Sequence, residues 1–262
     1  MQYFIERLPI AFFNIGIRYV IAAGVAFLIF YVIFKDKISI PKIQQKFPKF
    51  KDYQRDTLYS LLTVAIFAVI ASFTFIFLKP YDILYDDINA MPAWYWLLTM
   101  IPMYFIHDFY FYWAHRWMHH PRLFKAVHKV HHLSTNPSPW TAYAFHPLEA
   151  VVETMIIPIL VFTVPTHRLM IMIFMLFQIA YNVYGHLGYE LFPANFHKTK
   201  IGKYINTSVA HNQHHHKFHG NYGLYTLIWD RLFGTLREDY DESYEQATKP
   251  TKKELANQLP MS

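Results

Sequence analysis

Apolar residues run along this chain in long, nearly uninterrupted blocks, and the block lengths match membrane-spanning helices better than the alternation of a strand. The first block covers 9–34 and contains Arg18, whose long side chain is expected to reach toward an interface, with Phe12 and Phe13 at headgroup depth. The block 57–78 is free of charge and reads as a second span. A third, 88–106, opens on Pro92, Trp94, Tyr95 and Trp96, the aromatics expected where a helix enters a membrane. Two shorter blocks, 150–166 and 169–185, meet at Pro165-Thr166-His167. They read as a helical hairpin that either spans or dips into the bilayer, and length alone does not separate the two.

Composition agrees with this pattern. Hydrophobic residues make up 54% of the 262 and aromatics 19%, against 16% charged, too little polar side chain to cover a water-facing globule. The predicted fold class is therefore all-α: an integral membrane helical bundle of about four to five embedded helices with a helical cap. Residues 1–90 form the first membrane helices and a basic loop, 91–237 the chemical domain, and 238–262 a polar tail, exposed or loosely ordered. No cleavable signal peptide is expected, since the N-terminal block lacks a basic start and a small-residue cleavage site.

Charge sets an orientation. The segment 35–56 carries Lys35, Lys37, Lys42, Lys46, Lys49, Lys51 and Arg55, whereas 79–90 has Lys79 followed by Asp82, Asp86 and Asp87. The positive-inside bias puts the first loop in the cytoplasm and the second on the far side. Counting onward, the end of the third span and everything after the hairpin are cytoplasmic. The formal charge of +6 suits a membrane surface and is not arranged as a nucleic-acid-binding face, so no nucleic-acid partner is expected.

Cysteine is absent, which removes disulfides, iron–sulfur clusters, thiolate-bound haem and cysteine zinc sites. Histidine is abundant, with 16 copies. His115 and His119 are four apart; His128, His131 and His132 fall at i, i+3, i+4; and His211, His214 and His215 repeat that spacing. On a helix these intervals share one face, the geometry that hands several imidazoles to one metal ion or to two sharing a site. These eight clustered histidines exceed what one zinc site uses, so two metals is the economical reading. Imidazole alone leaves zinc, copper, iron, nickel and manganese open.

The run HDFYFYWAHRWMHHPRLFKAVHKVHHLS resembles the first two histidine boxes of the fatty acid hydroxylase and sterol desaturase superfamily, and HNQHHHKFHGNYGLYTLIWDRLFGTL resembles the third. The resemblance covers roughly 101–236. It implies a non-haem di-iron centre on the cytoplasmic face that uses O2 on an unactivated C–H bond of a lipid. It also implies a ninth ligand, His186, in YNVYGHLGYE. Some members carry a further histidine four residues on; Glu190 stands there, as a ligand, an acceptor behind a ligand, or a surface residue.

Other groups are weighed beside these. Asp108 lies on the His115 helix face and is placed to accept a hydrogen bond from a ligand's outer nitrogen. His146, in the HPxE-like AFHPLE, is read as supporting the site or structural. Asn221, in the NYG motif, and Asp230 are further candidates for support, Asp230 and Arg231 by ion pairing in the cap. Gly223 and Gly234 are read as turn glycines. His107 is expected at an interface, and His120, His167, His197, His216 and His219 in solvent. The chain has no Gly-rich dinucleotide fingerprint and no evident haem or flavin site, so electrons are expected from a separate small haem protein or ferredoxin with its reductase. Alternatives are a zinc-dependent membrane hydrolase and a histidine-rich metal transporter. The transporter expects ionisable groups within spans, whereas most of these clusters lie just beyond them.

Overall fold

The computed structural model describes residues 1–35 and 42–249; Lys37 and the last part of the polar tail lie outside them. The described residues are helical, with isolated bridges in place of strands. Among the described residues three helices are long and apolar enough to cross a membrane: Gln2–Ile33, Phe50–Phe77 and Arg168–Gly185. Helix α1, Gln2–Phe27, continues through a π-helical turn at Leu28–Ile33, and α2 is Phe50–Phe77. The first span therefore begins earlier than expected, with Pro9 inside it. Ile15, Tyr19 and Ala23 recur at helical spacing on the buried stripe of α1, and Val64, Ala68 and Ala71 on that of α2. Small residues let the pair approach closely, Gly16 lying beside Val64. The Tyr19 hydroxyl, within 2.9 Å of Ser60 Oγ and 2.8 Å of the Trp140 carbonyl, adds a polar fastening inside the bundle.

The block expected as a third span is helix α3, Ala93–Met118, which starts later and runs further than 88–106. It is not among the three apolar candidates, because its last turns carry His107, Asp108, His115 and Arg116. Trp94, Leu97, Ile101, Phe105 and Phe109 form its exposed stripe, while Met103, His107, Phe111 and His115 are buried. A short helix, α4, covers Pro121–Val127. The first arm of the hairpin is broken into α5, Pro147–Thr154, and α6, Ile156–Thr163. Pro158 has no N–H to give to the Thr154 carbonyl, so the break falls one turn before it. Its return arm is α7, Arg168–Gly185.

The hairpin reaches the far end of the bundle. Tyr85 N–H donates to the Thr166 carbonyl, and Arg168 pairs with Asp82 at 2.7 Å and Asp86 at 2.5 Å, just before α3 begins. From there α3 and α7 run toward the opposite end, about 1.5 Å per residue, and deliver His115 and His186 together. Helices α8, Ser208–Lys217, α9, Ile228–Leu232, and α10, Tyr240–Thr248, close over that end. Here the expectation of a loose tail is corrected as far as residue 249. Tyr240 and Tyr244 are buried against α8 and hold 240–248 in place. The charged residues of the segment had masked this apolar pair.

Candidate metal centre

The histidines come from the ends of elements rather than from one helix. His115 lies in the last turn of α3 and His119 caps it; His128 caps α4; His131 and His132 open a 3-10 turn; His186 caps α7. Only His211, His214 and His215 share a helix, α8, which is capped by the Thr207 side chain accepting from Ala210 N–H. Two groups result. His115, His119, His128, His132 and His214 bring one nitrogen each within 4.8 Å of one another, and so do His131, His186, His211 and His215. All nine histidines singled out from the sequence are in one group or the other. The spacing has an unforeseen consequence. Each i, i+4 pair stays together, while His131 and His214, at i+3, cross to the other group.

The outer nitrogens orient the rings. Nδ1 of His115 donates to the Tyr222 carbonyl at 2.9 Å, Nδ1 of His186 to Asn182 at 2.7 Å and Nδ1 of His214 to Gly220 at 2.7 Å. Nδ1 of His128 meets the buried Glu149 carboxylate at 2.6 Å. In the three rings that face carbonyls Nδ1 holds the proton, so Nε2 is a lone pair pointing inward. The inward atoms crowd one another. His115 Nε2 lies 3.1 Å from His128 Nε2, and His186 Nε2 lies 3.0 Å from His211 Nε2 and 3.2 Å from His131 and His215. His115 presents an inward lone pair to His128, and His186 presents one lone pair to three neighbours.

A cation between the nitrogens would engage their inward lone pairs together. Two ligand nitrogens at right angles, each about 2.1 Å from a shared ion, would stand about 3.0 Å apart. Burial, with the neighbouring rings, holds His128, His131, His132, His211, His214 and His215 well below the usual imidazole range, and burial lowers His186 to about 4. The rings are neutral near pH 7, the form that binds metal. Donor type, protonation and spacing all fit metal ions.

Several supporting residues act differently from expectation. Asp108 does not reach a histidine: its carboxylate accepts from Tyr225 N, Thr226 N, Thr226 Oγ1 and Trp229 Nε1, which fills both oxygens. Glu190 is outside both groups and accepts from Tyr184 Oη, Phe192 N and Val209 N, tying α7 to α8. Asp230 makes no ion pair with Arg231, which donates to the Lys203 carbonyl; it accepts from Tyr222 N, Gly223 N and Thr235 Oγ1. Asp230 thus fixes the peptide unit beside the carbonyl that orients His115. Asn221 donates to Ala210 O and Gln213 Oε1 and accepts from Arg237 N, holding the loop whose Gly220 and Tyr222 carbonyls meet two histidines.

Among the glycines, Gly234 has the positive φ of a turn, but Gly223 does not. An added Cβ at Gly223 would sit 2.0 Å from the Thr226 carbonyl, so close approach is its constraint. His146 only caps α5 by accepting from Leu148 N–H. The missed residue is three positions on: Glu149, the carboxylate of the same HPxE-like element. A charged residue opening an apolar helix was the available signal. His107 and His197 are buried rather than at an interface or in solvent, His107 bonded through Nδ1 to the Tyr225 hydroxyl and His197 packed on Tyr244.

The fatty acid hydroxylase family profile matches residues 100–235, more than half of the chain. The chain is 30% identical over 234 residues to a Delta(7)-sterol 5(6)-desaturase of Aspergillus fumigatus, covering 87% of this chain and 62% of that one. It is 33% identical over 162 residues to the lathosterol oxidase of Rattus norvegicus, covering 61% and 52%, and 30% identical over 181 residues to the lathosterol oxidase of Homo sapiens, covering 68% and 56%. It spans less than two thirds of the length of each. No solved structure matches it. With the profile spanning all three histidine clusters, the chain belongs to the fatty acid hydroxylase family.

Proposed function

We propose that this protein is a membrane-bound, non-haem di-iron oxygenase that desaturates or hydroxylates a C–H bond of a lipid. One observation carries the reading: nine neutral imidazoles, eight of them buried and His119 partly so, converge in two groups with inward nitrogens placed to bind cations. His115, His119, His128, His132 and His214 hold one iron and His131, His186, His211 and His215 the other. Bound there, the pair supplies the reduction of O2 and the attack on the substrate C–H bond. Desaturation removes two hydrogens and, with two further electrons and two protons, reduces O2 to two waters; hydroxylation inserts one oxygen atom on the same supply. The electrons come from a separate small haem protein or ferredoxin with its reductase.

The chain's own part is positional. Tyr222, Asn182 and Gly220 carbonyls and the Glu149 carboxylate keep the Nε2 lone pairs inward, and the cap of α8 to α10 keeps bulk water out. The basic segment before α2 supports a cytoplasmic position for this end of the bundle. The relatives' names make sterols the first substrates to test. Purified protein should carry about two irons per chain, in keeping with a donor set that exceeds one site. Supplied with reductant, O2 and lipid extract, it should yield a product that has gained one oxygen or lost two hydrogens. His131→Ala and His214→Ala should abolish product and iron retention together. Zinc in place of iron with turnover independent of O2 would mark a hydrolase, and vectorial metal flux a transporter.

A further inference from the structure

The end of the bundle that holds the histidines carries a basic face. Arg122, Lys125, Lys129 and Lys217 are exposed there, and among the described residues none of them lies within ion-pair distance of a carboxylate. Arg122, Lys125 and Lys129 fall at i, i+3 and i+7, so they line the outer side of α4 and of the turn after it, where Lys129 N–H donates to the Phe124 carbonyl. The Phe124 ring turns inward and meets that of Phe218, just past α8, at 6.2 Å, which brings Lys217 alongside. The segments 109–148 and 191–229, which supply α4 and α8, contain no Asp or Glu. Acids enter only at the edge, where Glu238 and Asp239 share a groove with His219 and Arg237 pairs with Asp239 at 2.9 Å.

An apolar ring stands between these charges. Phe218 is 41% exposed, and its ring packs on that of His132 at 5.3 Å. Of the aromatic rings packed on the clustered histidines, among the described residues, Phe218 alone is exposed; Phe111 and Phe145 are buried and Phe124 and Tyr222 half-buried. One side chain therefore separates solvent from a residue of the first histidine group. Its backbone is left-handed, with φ 67°. Helices usually end on glycine in that conformation, so the helix end alone would be better served without the ring. Leu133, next to His132 in the chain, is exposed as well.

We propose that this face is the docking site of a small acidic one-electron carrier, seated on Phe218 and ringed by Arg122, Lys125, Lys129 and Lys217. An apolar centre with a charged rim is the anatomy of a protein interface, and attraction between opposite charges suits a partner that must arrive fast and leave after each transfer. A carrier seated there has only Phe218 between itself and His132. Each encounter oxidises the carrier by one electron and reduces the metal pair by one, and two encounters supply the two electrons that the oxidation proposed above consumes. The inference rests on that oxygenase reading and names the charge and the seat of its electron donor. An anionic lipid headgroup would match the charges, but it supplies no electrons and leaves the exposed ring over His132 without a use.

The test uses the full-length, iron-loaded protein in neutral detergent. The probes are an acidic plant-type ferredoxin and the acidic soluble domain of a b-type cytochrome, with basic cytochrome c as the control. At least one acidic carrier should bind, lose about tenfold or more in affinity between about 20 and 200 mM salt, and reduce the protein anaerobically in stopped flow; cytochrome c should not bind. Carbodiimide coupling should join carrier carboxylates to Lys125, Lys129 or Lys217. Lys125→Glu combined with Lys217→Glu should weaken binding about tenfold or more with iron content unchanged, whereas Lys79→Glu, at the other end of the bundle, should not weaken it. No binding by either acidic carrier, affinity unmoved by the double reversal, or cross-links confined to other lysines overturns the proposal. So does phosphatidylserine retention that the double reversal abolishes without any carrier binding, which would make the face a headgroup site. Carrier binding and reduction with no O2-dependent lipid product would fault the oxygenase reading instead. Lipid product driven by a chemical reductant, with no carrier binding, would fault only this one.

Discussion

Glu149 reaches across 21 residues to the outer nitrogen of His128, and among the described residues it is the one carboxylate bonded to a clustered histidine. Replacing such a partner costs about 10–100-fold in metal affinity. Glu149→Ala is therefore expected to weaken iron retention by that factor in a chelator competition, with Glu149→Gln, which can still accept, losing less. Asp230→Ala should act one link further out. With Tyr222 N–H and Gly223 N–H released, the Tyr222 carbonyl no longer holds His115 firmly, and iron retention should fall while the helical content by circular dichroism stays. The histidines were legible because a repeated i, i+3, i+4 interval is local, and His186 because a resemblance pointed to it. Glu149 was not, since nothing in AFHPLE says which of its polar residues turns toward a ring two elements away. The same limit misplaced Asp108, whose donors lie 117 to 121 residues further on.

Helix existence followed from apolar block length, but helix limits and roles did not. The hairpin arm was expected as one piece, and Pro158 divides it; α3 was expected to stop near 106, yet it continues to Met118 and carries His115 beyond the apolar stretch. Several polar residues at helix ends join elements. Asp56, near the start of α2, is the fullest case: it accepts from Ser134 Oγ, Thr141 Oγ1 and the Arg55 guanidinium, and so clamps the segment just after His131 and His132. Asp56→Ala would strand those donors in a buried place. A loss of roughly 2–4 kcal/mol in unfolding free energy is expected from denaturant titration, with looser iron binding as a secondary effect.

At the level of the whole molecule, the absence of cysteine makes the orientation directly measurable. Single cysteines at Lys49 and His219 should react with a membrane-impermeant maleimide from one side of sealed vesicles, and one at Asp87 from the other; labelling of all three from the same side would contradict the assigned topology. A last consequence comes from the way neighbouring residues part company. His131 and His132 face different groups, as do His214 and His215, so each doublet is a single rigid splice between the two pockets. Emptying one pocket must disturb the backbone that shapes the other. Graded extraction of iron should then proceed in one step, read by metal analysis of separated species, with singly occupied protein scarce throughout. A membrane starved of iron would hold a mixture of complete and vacant molecules, and its oxidising capacity would fall by headcount rather than by a gradual dimming of every copy.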